Sequence, residues 1–497
     1  MPSRRQVWNT HCPRARCSHH IPPMFRRLRL LGKRVNEYAS SALAKPPRPT
    51  FSGTRVERAL HALAFAAFAV FSSLFLPFGL FYAHLFAPVA LFFIAKWRYQ
   101  GIEWLFGVAL LFACYSLALS FNTVLQLGDF LVSSLIFFAG VIYATYIFYL
   151  VAYKILNFRR LLSWVLYVNL LLATLALTAL VSGYGDCCWV PADYGNVPRL
   201  KLGFLEPSHL AYNLVPFVMY AAVDFIYTDG KRSSWCFVIG MTLLGLTQSL
   251  SVIGLFIASL SLAVLPVWRS ALSKSRALVA IVCLAGLILF SLSGLSERIQ
   301  VSLQGGDHSG KVRVVYSMFV ATDLLDDQDA WLLGVGVGQP KFFIEAYALS
   351  YPGYVSNRLP NSIASTLAAV GVVGLTVKLL AFLILFVRTH SFRYSFSRGL
   401  FAFAFFYQFA GGYFNNVNEL TSFAIALGYG MMRWTADPQR GLDHKPGHRA
   451  ICTVAGPHSG PYRSRCYRRV RCADRSRPAG TMIKARSVAE ATTHNCQ

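Results

Sequence analysis

From residue 60 onward the sequence keeps returning to apolar runs long enough to cross a lipid bilayer, and this recurrence limits the possible folds most. Such runs read near 60–77, 79–95, 102–120, 129–153, 161–181, 209–227, 235–250, 252–267, 277–294, 363–387, 399–414 and 419–434. A bilayer core takes about twenty helical residues per crossing. Inside it an unpaired backbone group has no water to bond, so each crossing segment is expected to be a helix. The divisions within 60–95 and 235–267 are the least sharply marked. Composition agrees: 55% of residues are hydrophobic, 14% are charged and mean hydropathy is +0.47. Soluble domains carry about 25% charged residues.

A net charge of +26 raises the question of nucleic acid, and its distribution answers it. Residues 1–58 carry thirteen Lys and Arg against two Glu, and residues 435–497 carry twelve against four acids, so the ends hold nineteen of the 26 charges. A nucleic-acid reader needs its cations on a folded face, and neither end has a helical or strand period. The chain therefore divides into a basic extension over 1–58, a polytopic membrane domain over 59–434 and a basic, disordered tail over 435–497. Met24 is an alternative start, and a reading-frame error would give a similar tail. No small-residue cleavage site follows an apolar core in the first thirty residues, so the first membrane segment is expected to be its own insertion signal. Eleven cysteines show no C-x-x-C pair or metal-ligand spacing, so neither a disulfide framework nor a metal is expected. Cys187 and Cys188 are not read as a redox pair.

The loops alternate in charge. "KWRYQG", "KILNFRR", "TDGKRSS", "WRSALSKSR" and "VRTHSFRYSFSR" are basic, whereas "FNTVLQLGD" and "NNVNE" contain no Lys or Arg. The positive-inside rule makes the basic set cytoplasmic. The expectation is an all-α polytopic membrane protein of about twelve helices with both termini cytoplasmic. Two longer loops, 182–208 and 295–362, then lie outside, the second between the ninth and tenth helices.

Most side chains able to do chemistry fall in those loops: Arg199, Lys201, Glu206 and His209 in the first, Asp307, His308, Lys311, Arg313, Arg358 and Asn361 in the second. Guanidinium groups bind phosphate oxygens in pairs, and ammonium groups add point charge. A carboxylate or imidazole beside them could take a proton from an incoming hydroxyl. Plainer readings stand alongside. Glu206-Pro207 also reads as an ordinary helix start, and an interfacial His209 needs no catalytic role. Lys311, Arg313 and Arg358 could be solvated loop cations. The glycines at 334, 336 and 338 do not form a nucleotide loop and read better as a tight turn. Lys378, within the tenth run, is read as reaching along its helix toward water in preference to lining a cavity.

Together these pieces resemble the O-antigen polymerase and O-antigen ligase family of membrane glycan enzymes. The long outer loop before the tenth helix is one feature. "RLKLGFLEPSHLA" (199–211) resembles the family's acid-Pro-Ser segment, "SGKVRVVY" (309–316) its Ser-Gly-Arg stretch and "LLGVGVGQPKF" (332–342) its glycine turn. "LPNSIASTLAAVGVVG" (359–374) resembles the Asn-containing start of the next helix, and the likeness covers roughly 56–434. Two departures stand out. "LTQSLSVIG" (246–254) has Leu250 where the family segment usually has Arg. Pro360, where ligases typically have His, precedes Asn361 and favours a polymerase.

The resemblance implies a metal-independent inverting glycosyltransferase, without cofactor, in the bacterial inner membrane. It would polymerise undecaprenyl-pyrophosphate-linked repeat units at the periplasmic face, for O-antigen or a gum-type exopolysaccharide. Arg199, Lys201, Lys311, Arg358 and Asn361 would bind substrate and Arg313 would neutralise the departing pyrophosphate, with Glu206 or His209 as base. Membrane lipid, a chain-length regulator and a flippase are the expected partners, and nucleic acid is not one. An O-antigen ligase, a transporter of lipid-linked oligosaccharide and a non-catalytic scaffold are the rival readings.

Overall fold

The structure is a computed structural model. It describes residues 54–71, 82–97, 99–120, 126–155, 157–191, 198–204, 206–227, 231–267, 308–348, 350–351, 358–412, 414 and 416–436. The expected span 277–294 and most of both basic ends (1–53 and 437–497) lie outside the described residues, as do 295–307, with Asp307, and 349 and 352–357 of the long loop.

The described chain is almost entirely helical: α1 (Arg55–Phe71), α2 (Ala87–Trp97), α3 (Tyr99–Ser120), α4 (Leu127–Ala152), α5 (Phe158–Val181), α6 (Pro207–Tyr227), α7 (Lys231–Leu246), α8 (Leu250–Val264), α9 (Ser317–Asp327), α10 (Lys341–Ala348), α11 (Ser362–Arg388), α12 (Ser395–Tyr407) and α13 (Val417–Ala436). A two-residue antiparallel hairpin, β1 (Trp189–Val190) with β2 (Arg199–Leu200), precedes α6. Among the described residues four helical segments, α4, α5, α6 and α11, are long and apolar enough to cross a membrane by length and composition, although α11 is broken at Gly371. Among the other described runs, α2 and α8 are shorter apolar helices, whereas α3 and α13 have 22 and 20 residues.

Helix α6 is the centre. Leu210, Leu214, Val215, Phe217, Val218 and Met219 are fully buried, and the helix packs on α5, α7, α8, α12 and α13. A helix apolar on every side has to be surrounded. Its 21 residues span about 31 Å, and its two ends differ. Near Tyr227, Arg159 pairs with Asp224 at 3.2 Å, Ser233 donates to the same carboxylate and Tyr227 meets Ser395. The guanidinium of Arg393 lies over Trp434, and Arg398 donates to the Leu262 carbonyl at 3.0 Å. Described residues of three of the expected basic loops, Arg159, Ser233 and the Arg393–Arg398 stretch, thus gather near this end of α6. The other end of α6 begins at Glu206.

The tenth run departs from expectation. It reads as one straight span, but at Gly371 the backbone takes φ 65° and ψ −172°. Lys378 Nζ lies 3.0 Å from Ser362 Oγ and 3.2 Å from Thr366 Oγ1. In a straight helix residues 362 and 378 would stand about 24 Å apart, so the chain must reverse at the glycine. The first limb, 362–370, is buried almost throughout. The second, 372–388, exposes Leu380, Leu383, Ile384 and Val387.

The reversal is held by the glycine turn. Val335 and Gly336 N–H donate to the carbonyls of Ala368 and Ala369, and Val372 and Val373 N–H donate back to Trp331 and Leu332. The backbones interlock so closely that a Cβ on Gly334 would stand 2.5 Å from the Ala369 carbonyl carbon, and one on Gly371 2.3 Å from the Leu332 oxygen. Glycines 334, 336 and 338 all have positive φ, the conformation glycine tolerates best. Tyr115 OH caps the joint by donating to Leu333 and Ala369 carbonyls. The turn is tied to the start of α4: Gln339 exchanges two amide hydrogen bonds with the Gln126 backbone, and Lys341 pairs with Asp129 at 2.6 Å.

Candidate functional site

Glu206, Arg313 and Asn361 come from three distant parts of the chain and meet. Pro207 opens α6 as a first-turn proline, where its missing N–H costs nothing, and Glu206 stands just outside. Arg313 Nη2 donates to Glu206 Oε2 at 2.9 Å, and Ser208 Oγ donates to the same oxygen at 2.9 Å. Arg313 lies in a π turn, Val312–Tyr316, between a short helix His308–Lys311 and α9. Single π turns often occur at functional sites. Packing of α9 against α11, through Val320, Ala321, Leu324, Ala364 and Ala368, sets where that turn lies.

Asn361 fixes the position of the Arg313 main chain. It caps α11 by accepting from Ala364 N at 3.0 Å, while its Nδ2 donates to the Arg313 carbonyl at 3.0 Å and the Phe409 carbonyl at 2.8 Å. At 2% exposure its amide is wholly occupied by backbone. His209, half-buried in the first turn of α6, faces both Glu206 and Arg313 electrostatically.

The ion pair is only partly shielded, with side chains 25% (Arg313) and 46% (Glu206) exposed. Burial by itself would push the Glu206 carboxyl up, but the charges of Arg313 and His209, with hydrogen bonds from Ser208 and Arg313, hold it below the ordinary carboxylate value. Glu206 is therefore an anion at neutral pH, with its proton affinity reduced by the cation beside it.

The other expected cations lie within a few residues of this cluster's members along the chain. Arg199 and Lys201 are half-buried on and beside β2. That hairpin is anchored by Trp189 Nε1 donating to the Ala176 carbonyl, and by Lys201 and Leu202 N–H donating to Cys188. Lys311 and Arg358 are exposed, a few residues from Arg313 and Asn361 respectively. Among the described residues no group of three His, Cys, Asp or Glu side chains converges as a metal site.

Lys378 does not reach along its helix toward water. It pairs with Glu419 of α13 at 3.1 Å, their side chains only 14% and 2% exposed. The reversal at Gly371 explains the difference: it lays the second limb of α11 alongside the first, turning Lys378 to the hydroxyls of Ser362 and Thr366. Sequence alone gives Glu419 no partner, because its partner is chosen by that fold-back. A glycine in an apolar run was the one available signal.

Comparison with known proteins finds no matching family model and no matching curated relative.

Proposed function

We propose that this chain is a polytopic inner-membrane glycosyltransferase that polymerises undecaprenyl-pyrophosphate-linked repeat units at the outer face. The observation that carries the reading is the Glu206–Arg313 pair at 2.9 Å, with His209 in the first turn of α6 and the half-buried cations Arg199 and Lys201 a few residues earlier in the chain. This is an anion site with a proton acceptor inside it. The residues of three basic loops gathered at the opposite end of α6 support an outward orientation for the site. About twelve crossings, with both termini inside, complete the proposed topology.

In this reading a hydroxyl of one lipid-linked glycan attacks the anomeric carbon of another. The C–O bond to the pyrophosphate breaks as the new glycosidic bond forms, and the hydroxyl proton goes to a base. Arg313, aided by Arg199, Lys201, Lys311 and Arg358, neutralises the charge that grows on the leaving pyrophosphate. Without substrate, Glu206 occupies the guanidinium. An arriving pyrophosphate competes for Arg313 and releases Glu206, whose proton affinity then rises, so the base is activated only when donor is bound. Asn361 acts by holding the Arg313 backbone.

The test is complementation of a strain lacking the gene with Arg313→Ala and Glu206→Ala, sizing lipid-linked glycan on gels and checking the protein level of each variant. A pair this exposed contributes about 1 kcal/mol or less to stability, so both variants should accumulate normally. Loss of long chains with outward-facing single repeats supports polymerisation, and normal polymer from both variants refutes it. A second reading, transport of the lipid-linked glycan, draws support from the buried Lys378–Glu419 pair next to a broken helix, a feature of transporter sites. Repeat units trapped on the cytoplasmic leaflet would favour that reading.

A further inference from the structure

The Lys378–Glu419 pair lies away from the proposed chemistry, yet it connects to it through a series of hydrogen bonds joined by the Asn361–Ser362 peptide bond. Glu419 of α13 holds Lys378 of the second limb of α11 at 3.1 Å. Lys378 donates to Ser362 and Thr366 of the first limb at 3.0 and 3.2 Å. Ser362 begins that limb directly after Asn361, whose side chain donates to the Arg313 carbonyl. Arg313 in turn holds Glu206. On the far side, Ser362 N and Ile363 N donate to the carbonyls of Gly411 and Gln408, so the same first turn is also fastened to the end of α12.

A buried ion pair is a poor way to gain stability. Desolvating two charges offsets most of their attraction, and well-packed apolar side chains usually do as well or better. Geometry is what such a pair can supply. An ammonium has three donors, and here they reach one carboxylate and two hydroxyls on two separate stretches of backbone. A short limb of nine residues entering from a loop would otherwise fray, since helices of that length are marginal alone.

We infer that Lys378 and Glu419 are positioning residues for the outer site. By clamping the first turn of the buried limb of α11 they fix Asn361, and through it the π turn that aims Arg313. The inference rests on the proposed function for its meaning, but its geometric content is independent. It also accounts for a charged pair among apolar helices without any ion crossing the membrane.

The experiment compares full-length wild type, Lys378→Met and Lys378→Met/Glu419→Leu, purified into lipid nanodiscs. Three readouts are taken: melting temperature, amide hydrogen exchange over 308–316 and 359–366, and affinity for added undecaprenyl pyrophosphate. The single variant, which strands a carboxylate, should melt well below wild type, and the double variant should recover most of that loss. In the recovered double variant, exchange in both segments should rise at least tenfold and undecaprenyl pyrophosphate affinity fall at least tenfold. A double variant that melts like wild type and also exchanges and binds like wild type overturns the inference, because the pair would then be packing alone. If the double variant does not fold, Ser362→Ala/Thr366→Val removes the acceptors while leaving the ion pair, and the same outcomes apply. Failure of wild type itself to bind undecaprenyl pyrophosphate would sink the polymerase reading, while the exchange measurement would still decide the clamp.

Discussion

Replacing Gly371 with alanine distinguishes two structures for the same apolar run, and the two predict opposite signs. In a straight helix over 363–387 this glycine would be an interior weakness, and alanine would stabilise by about 1 kcal/mol. In the structure the residue sits at φ 65°, ψ −172°, where a side chain costs about 1–3 kcal/mol in backbone strain. Its new Cβ would also fall 2.3 Å from the Leu332 oxygen and 2.6 Å from Gly334 N. Neither neighbour is a flexible side chain, so the glycine turn would have to move away. Four backbone hydrogen bonds cross that joint, each worth about 1 kcal/mol. Losing half of them together with the strain gives about 3–5 kcal/mol. The assay is thermal unfolding of the purified protein in detergent, with Gly254→Ala as matched control, since a Cβ at that glycine in α8 meets nothing within 4 Å. Gly371→Ala should melt far below wild type while the control stays level or rises slightly. A Gly371→Ala protein as stable as wild type would refute the reversal, and with it the path from Lys378 to Asn361.

Other expectations follow from the same joint and from the site. Tyr115→Phe removes one hydroxyl that donates to two carbonyls, and should cost about 1–2 kcal/mol in the same melting assay. Lys378→Met should cost about 3–5 kcal/mol because it leaves the Glu419 carboxylate buried without its cation, and Glu419→Leu added to it should return most of that. Glu206 titrates below the ordinary carboxylate value in the folded protein. Its contribution is therefore complete above the unfolded value and is lost as the pH falls through the folded one. The melting difference between wild type and Glu206→Gln should be constant from pH 8 to pH 6, then shrink in acid below about pH 4; a difference that grew on acidification would contradict the pairing.

Helix positions were readable because apolar periodicity is a local property. The runs at 129–153, 161–181 and 209–227 became α4, α5 and α6 with ends shifted by a few residues. The acid, proline and hydroxyl that open α6 could be read the same way, since helix starts depend on neighbours in sequence. Arg313 and Glu206 could each be singled out as outer-loop charges, but their meeting at 2.9 Å joins residues 107 positions apart, and no local pattern encodes that distance. Asn361 reads as a helix cap from sequence, and only the fold adds its second role as donor to the Arg313 and Phe409 carbonyls.

The sequence by itself determined that the chain is a set of apolar helices with most of its basic loops set apart from the polar segments around Glu206 and Arg313, because hydropathy and charge sort a chain residue by residue. It left the tenth run as an unbroken span, since Gly371 among Val, Leu and Ala is tolerated by a straight helix and a reversal alike. Tertiary structure decided between them. The turn at 331–338 supplies four hydrogen bonds to the break and leaves no room for a Cβ, and that contact comes from more than thirty residues away. Once the run folds back, Lys378 and Glu419 have each other, and the first limb delivers Asn361 to Arg313.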